Sequence, residues 1–375
     1  MPGLFIQRQA EALTAGCDVA VIYVHPDPDC PNKIEVEFSE EKEVRVLRVY
    51  YRVNRKPGQI IGKALNLWRF YRANMKAIQS IRQFSPDLVH AHMLTRLGFI
   101  AWRVSRKMNI PLVISEHWSR YFPESNSYQG LFRKILTRFV VQKASLVIAV
   151  SEPLKLAMQS FKLDNPNFHV VPNVVDTGLF TPGSATSTHP VKNFVHISCF
   201  EDRSKNISGF LDAILALSQT RSDFKCALIG DGPDMDPLSA YARSLGIIDT
   251  FVTFNGLKTG EEVVAMIQDA DFTVVSSNYE TFGTVVIESL ACGVPVVATK
   301  VGVAPSVIDE HNGLLVPPGD LDAMVQALNR MLDQCSMYDR LDISSGISEK
   351  FSKVAIGQQL TSLYRELISD DSLLK

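Results

Sequence analysis

Residues 276–293 read SSNYETFGTVVIESLACG, and the chain before them, Phe272 to Val275, is a β-branched run. That run predicts a short buried strand ended by Ser276-Ser277-Asn278. Thr284 to Cys292 predicts a helix that opens just after Gly283. Glu280 falls in the intervening loop and Glu288 inside the helix. A helix starting there leaves the backbone N–H groups of Phe282, Gly283 and Thr284 as first-turn donors, at a terminus carrying partial positive charge. Such a terminus suits a phosphate or diphosphate. Glu280 is then placed to meet hydroxyls attached to that phosphate, and Glu288 to hold vicinal hydroxyls such as those of a ribose. Together these features describe a nucleotide-sugar site.

Glu280 and Glu288 are followed by Gly-Val-Pro-Val-Val-Ala at 293–298 and Asn-Gly-Leu-Leu-Val-Pro-Pro-Gly-Asp at 312–320. With these segments the chain resembles the retaining glycosyltransferases of family 4. The resemblance implies the α/β GT-B fold, two facing Rossmann-like doubly wound domains. It divides the chain into residues 1–180 on the acceptor side, 181–350 for the nucleotide-sugar, and 351–375 as a terminal helix crossing back to the first domain.

The totals bound the class of protein. A chain of 375 residues is long enough for two domains with separate cores. Its 46% hydrophobic and 21% charged residues describe a globular protein. The net charge of −2 conceals an asymmetry, because residues 1–172 carry 24 Lys and Arg against 14 Asp and Glu, and the remainder 14 against 26. The six cysteines (17, 30, 199, 226, 292, 335) show neither CxxC nor metal spacing, which fits a reducing compartment. The sequence contains no apolar run long enough to span a membrane and no signal-like start, so the expected location is cytoplasmic, peripheral on the inner face of the cytoplasmic membrane.

Pro2 to Ala15 predicts a loop and an amphipathic helix, and Asp18 to Val24 a strand. Members of the family begin with an additional strand and a glycine-rich loop. This chain starts at Met1-Pro2-Gly3, about where that loop ends, so a first sheet lacking its first strand is expected. Glu35 to Glu43 is an acidic patch. From Val44 to Pro86 there is no Asp or Glu, but Arg45, Arg48, Arg52, Arg55, Lys56, Lys63, Arg69, Arg72, Lys76 and Arg82, interleaved with Leu67, Trp68, Phe70 and Tyr71. A basic helix with aromatic residues over 55–82 fits contact with an anionic membrane. A polyanionic acceptor and a plain solvated face are the alternatives. The sequence carries no nucleic-acid-binding module.

Strands ending in His92 and in Glu116-His117-Trp118-Ser119 place both histidines at carboxyl ends, where open parallel sheets bind ligands. The Ser-Glu-His-Trp-Ser run is similar to the family segment whose histidine approaches the donor sugar, which implies that role for His117. His92 is assigned to the acceptor side. Val170 to Phe180 resembles the interdomain crossing, with Asn173 and Asp176 as turn residues.

In the loop Ser198 to Asn206 the family supplies an Arg and, six residues on, a Lys for the donor diphosphate. Lys205 matches the Lys, but Cys199 stands at the Arg position, and a thiol cannot replace a guanidinium on phosphate. Arg203 is the candidate replacement. Gly230-Asp-Gly-Pro233 is a turn, and Asn255-Gly256 resembles the loop flanking the base. Asp27-x-Asp29 and Asp269-x-Asp271 lack the context of a metal motif, and no metal is assigned.

The resemblance thus implies sugar transfer from a nucleotide-diphospho-sugar, a UDP- or GDP-sugar, to a saccharide or lipid-linked acceptor in surface glycan biosynthesis, with no cofactor. Glu280, His117 and Lys205 are the expected catalytic groups. The enzymatic alternative is a nucleotide-sugar epimerase of the same fold, such as a UDP-N-acetylglucosamine 2-epimerase. The non-enzymatic alternative is an inactive donor-binding protein.

Overall fold

A computed structural model describes residues 3–53, 60–81, 84–183 and 190–369, excluding the side chains of residues 60 and 61. Arg55, Lys56 and Arg82 of the basic stretch, and positions 184–189 of the linker, lie outside the described residues. The N-terminal part runs α1 (Leu4–Leu13), β1 (Ala20–Asp27), β2 (Ile34–Glu41), β3 (Val44–Arg52), α2 (Ile60–Ser80), β4 (Val89–His92), α3 (Arg96–Met108), β5 (Leu112–Glu116), α4 (Leu131–Lys143), β6 (Leu146–Ala149), α5 (Glu152–Ser160) and β7 (Phe168–Val170). The C-terminal part runs β8 (Lys192–Ile197), α6 (Asp202–Lys205), α7 (Ile207–Ser218), β9 (Phe224–Ile229), α8 (Met235–Ser244), β10 (Val252–Phe254), α9 (Glu261–Gln268), β11 (Phe272–Val275), α10 (Thr284–Ala291), β12 (Val296–Thr299), α11 (Ala304–Val307), β13 (Gly313–Val316), α12 (Leu321–Gln334), α13 (Arg340–Phe351) and α14 (Lys353–Ser369).

Every residue of β11 and β12 is buried, as parallel strands covered on both faces require. Their sheet is six-stranded and all parallel, in the order β10-β9-β8-β11-β12-β13. Numbered within the domain this is 3-2-1-4-5-6, the doubly wound order, and chain direction across the sheet reverses between β8 and β11. Ligands of such sheets bind beyond the carboxyl ends at that reversal, and both loops of interest, Cys199–Lys205 and Ser276–Gly283, leave from it.

The N-terminal strands form two sheets instead of one. β4-β5-β6-β7 is parallel, while β1 pairs parallel with β3 and β2 closes antiparallel on β3. Among the described residues, β1 and β4 each present one edge that pairs with no other strand. The acidic patch at 35–43 is largely strand β2, a finding its sequence concealed. Ile34, Val36 and Phe38 alternate with charged or polar residues, the period of a half-exposed antiparallel strand, and Glu37 and Glu40 lie opposite Arg48 and Arg45.

The two parts share packing. Val140, Val147 and Leu154 of the first belong to one apolar core with Phe282, Ile287 and Phe351 of the second. Helix α14 lies on α1, and its Ile356, Leu360 and Tyr364 pack with Val113, Leu146 and Ile148 beneath the four-stranded sheet.

Candidate active site in the interdomain cleft

On the C-terminal side, Lys205 ends the short helix α6 and Glu280 lies in the loop after β11. Their side chains form an ion pair, both largely shielded from solvent. Ser277 Oγ donates to the same Glu280 oxygen at 3.0 Å. The two loops are laced together: Ser276 Oγ donates to the Lys205 carbonyl at 2.8 Å, and the Asn278 amide to the Ser204 carbonyl at 2.8 Å. Burial alone would lower the Lys205 ammonium, but attraction and hydrogen bonding to Glu280 outweigh it and hold the pKa above its ordinary value. Lys205 therefore stays a cation at neutral pH, the form that binds phosphate.

Gly283 adopts a left-handed φ of +86°, which turns the chain into α10 without a Cβ penalty. Among the described residues, the backbone N–H groups of Phe282, Gly283 and Thr284 donate to no carbonyl or side chain. Phe282 is buried and fixes the loop from below. A second loop presses on it: a Cβ at Gly302 would lie 2.5 Å from the Phe282 carbonyl oxygen and 2.9 Å from Glu280 Cβ. Any side chain at 302 must displace the Glu280 loop. This contact joins residues twenty or more apart and was not legible in the chain.

Glu288, expected to hold ribose, is engaged from the other domain. Arg8 of α1 donates to it at 2.9 Å, and the two groups are 9% and 13% exposed. Burial raises the Glu288 carboxyl above its ordinary range, with Arg8 opposing that rise. The Arg8 guanidinium also sits over the Phe180 ring, 5.5 Å from its centroid. Arg8 was not legible in the sequence, because it is separated from its partner by most of the chain.

Arg203 is exposed and its guanidinium reaches across the cleft to the Glu124 carbonyl. That bond ties the two domains together. Ser151, the N-cap of α5, does the same by donating to the Thr281 carbonyl while accepting from the Leu154 amide. Cys199 is exposed next to the Lys205 loop. Gly230-Asp-Gly and Asn255-Gly256 support that loop: Phe200 N–H donates to the Asp231 carbonyl, and Gly230 N–H to the Gly256 carbonyl. Asp271 is buried, accepting the Asn193 amide at 2.8 Å in a structural tie.

On the N-terminal side, His92 Nδ1 and His117 Nε2 are 3.1 Å apart, and the ring of Phe5 lies 4.6 Å from that of His117. Burial pushes His92 down to about 4, and burial with the neighbouring His92 pushes His117 well below the usual range. Both rings are neutral at pH 7. His117 Nδ1 is buried and has no partner at full hydrogen-bond geometry, but Asn173 stands close enough to it to oppose part of the fall in its pKa. His90, on the same face of β4, bridges Tyr364 and Ser115 at 2.6 and 2.7 Å.

The loop carrying His117 is organised by Glu116, whose role sequence reasoning missed. This fully buried carboxylate accepts the backbone amides of Leu94, His117 and Trp118 at 2.8–3.1 Å and the Tyr121 hydroxyl at 2.8 Å. Burial and the adjacent Glu116 push the Tyr121 phenol well up, so it keeps the proton it donates. Four donors satisfy the charge, which without them would cost several kcal/mol to bury.

The arrangement as a whole is a cleft with a cation, a carboxylate and free helix-terminal amides on one wall, and neutral imidazoles on the other. A cation and unpartnered helix-terminal amides are groups that attract phosphate, and a carboxylate is one that accepts from hydroxyls. Among the described residues, no group of three His, Cys, Asp or Glu side chains is placed to hold a metal ion, and no helix is long and apolar enough to cross a membrane.

Comparison with known proteins agrees with this architecture. Residues 5–179 match the model of Glycosyltransferase Family 4, and residues 190–344 that of Glycosyl transferases group 1. A Bacillus subtilis glycosyltransferase named for teichuronic acid biosynthesis is 28% identical, over 88% of this chain and 84% of its own. Sucrose-phosphate synthase from Thermosynechococcus elongatus superposes with a TM-score of 0.78 at 22% identity, covering 98% of this chain and 94% of that one. HepE from Anabaena, solved with UDP and glucose, superposes with a TM-score of 0.74 at 20% identity, covering 98% and 97%.

Proposed function

The chain belongs to the family 4 glycosyltransferases, and from that premise we propose that it transfers a sugar from a nucleotide-diphospho-sugar, with retention, to a saccharide or lipid-linked acceptor. The observation that carries this reading is the Lys205–Glu280 pair beside the open first turn of α10, at the reversal point of the C-terminal sheet. The binding of UDP by the HepE structure supports a nucleotide donor here.

The chemical demand is to stabilise a departing diphosphate. Lys205 and the amides of Phe282, Gly283 and Thr284 supply fixed positive charge where negative charge develops. Glu280 turns its carboxylate to the hydroxyls of the donor sugar when phosphate takes over Lys205. His117, a neutral ring on the opposite wall, supports the donor sugar, and His92, 3.1 Å from its Nε2, orients it. Glu288 and the Asn255-Gly256 loop face the nucleoside. The acceptor attacks from the same face that the diphosphate leaves, and the leaving phosphate takes the acceptor proton. Arg203 and Ser151 hold the domains together, which keeps water from competing.

We assign the protein to the cytoplasm, in surface glycan biosynthesis. The exposed face of α2, with Trp68, Arg72 and Lys76, meets an anionic membrane. The donor site is tested by thermal shift with UDP, GDP and ADP, on this chain and on Lys205→Met. Nucleotide at a hundred times its dissociation constant adds about 2.7 kcal/mol. One nucleotide should raise the melting temperature, and the variant should need a higher concentration for the same rise. A cooperatively melting protein that responds to none of the three overturns the donor site.

A further inference from the structure

The outer surface of the N-terminal domain carries a second feature that the sugar-transfer reading does not use. The connections β4-α3-β5 and β5-α4-β6 join neighbouring parallel strands in the same direction, so right-handed crossovers put α3 and α4 on one face of the sheet, and the two helices pack side by side. Arg96, Arg103, Arg106 and Lys107 in α3 and Arg133, Lys134, Arg138 and Lys143 in α4 face no acid within either helix. None of these eight is paired with a carboxylate among the described residues. Arg133 and Arg138 donate to the Ser127 and Phe161 carbonyls and Lys134 lies over the Tyr128 and Phe161 rings, which leaves Arg96, Arg103, Arg106, Lys107 and Lys143 as the remaining exposed cations of the pair.

Helix α4 has two apolar sides. Val140 and Val141 are buried against the domain, as for any amphipathic helix. Its first turns also expose Leu131, Phe132 and Ile135, at 76%, 79% and 58%. Residues 131 and 135 stand one above the other and 132 is about 100° round the helix, so the three form one patch. Water gains nothing from such a patch, and a solvated helix face would be polar there.

We propose that the amino-terminal turns of α4 insert into the interface of an anionic lipid bilayer, with Leu131, Phe132 and Ile135 in the acyl boundary and the exposed cations Arg96, Arg103, Arg106, Lys107 and Lys143 on the headgroups. Charge selects this occupant. Two copies of the face would bring like charges together, which disfavours a symmetric dimer. A polyanionic glycan would satisfy the cations but leave the three apolar side chains in water. A bilayer with acidic headgroups meets both demands. The inference rests on the reading of the N-terminal domain as membrane-facing. It adds an anchor on the helix that follows the His117 loop, which brings the cleft to the depth where a lipid-linked acceptor presents its head.

The test is sedimentation of the full chain with phosphatidylcholine vesicles, with and without phosphatidylglycerol. The variants are Leu131→Ser/Phe132→Ser/Ile135→Ser and Arg72→Glu/Lys76→Glu. The serine changes fall on exposed side chains and leave net charge unaltered. The wild-type chain should bind the acidic vesicles, and the serine variant should bind them about tenfold more weakly or worse. Undiminished binding by the serine variant, with release by the α2 variant, overturns the α4 anchor and leaves the α2 contact standing. A wild-type chain that binds no vesicle overturns both. A serine variant that turns a dimer into a monomer while binding vesicles normally assigns the patch to a contact between copies, and also overturns the proposal.

Discussion

Lys205 and Glu280 on the C-terminal wall of the cleft are opposite charges held on loops from the middle of a continuous six-stranded sheet. The N-terminal wall presents His92 and His117, neutral rings 3.1 Å apart at the ends of the neighbouring strands β4 and β5, with the His117 backbone fixed by the Glu116 carboxylate, in a domain whose strands divide between two sheets. The first wall offers charge that a ligand can take over. The second offers shape and neutral hydrogen-bonding groups. A site that must stabilise a leaving diphosphate while tolerating a variable acceptor gains from that division, since only one wall has to carry the electrostatics.

The sharpest way to break the comparison is Lys205→Ala. If charge on the C-terminal wall drives the reaction, sugar transfer should fall by about a hundredfold to a thousandfold, the usual cost of removing one transition-state stabiliser. A loss under tenfold in initial rate would move the electrostatic work elsewhere. A second probe asks whether the walls are joined by charge as well. Arg8→Met strands Glu288 in a buried position, and about 3 kcal/mol should be lost in urea unfolding at pH 7, much of it restored in Arg8→Met/Glu288→Gln. Equal stability of the wild type and the single variant would show the pair to be inert.

A third probe addresses the neutral rings. His92, and His196 within the C-terminal sheet, titrate near 4 in the fold because burial disfavours the cation, against an ordinary value of 6.5. Between those values the unfolded chain holds more protons than the folded one, so stability is full above pH 6.5 and falls as pH drops towards 4. At pH 5 the loss should be about 2 kcal/mol for each ring. Melting curves between pH 7 and pH 5 measure it, and His92→Asn should flatten the dependence. A melting temperature level across that range would mean these rings are charged or hydrated in the fold.

The C-terminal domain was readable from sequence because its signals are local. Apolar runs such as Phe272–Val275 have one structural meaning when bounded by polar residues and glycine, and Gly283 marks the helix start directly. The residues that escaped reading act over distance or through the backbone. Arg8 meets Glu288 only because α1 lies against the second domain. Glu116 looks like any strand-end acid until the turn after it aims the His117 and Trp118 amides, and the turn after β4 the Leu94 amide, at one carboxylate. Arg203 has a suitable charge in a suitable loop, yet its side chain is long enough to leave that loop and cross the cleft. Strand β2 was hidden because its acids suggested a surface patch, whereas alternation with Ile34, Val36 and Phe38 was the stronger signal.

The division of the N-terminal strands also sets how the protein opens. Leu47, Val49, Tyr51, Ala73 and Ala77 make a small core of their own, apart from the larger core shared by the two domains. A unit with its own few apolar contacts and an unpaired sheet edge exchanges its amides through sub-global opening, at a free energy below that of whole-molecule unfolding. Strands β1 to β3 and helix α2 should therefore take up deuterium together and early, while the strands beneath Lys205 and Glu280 stay protected. The basic helix α2 would then open with its own small core, apart from the donor wall.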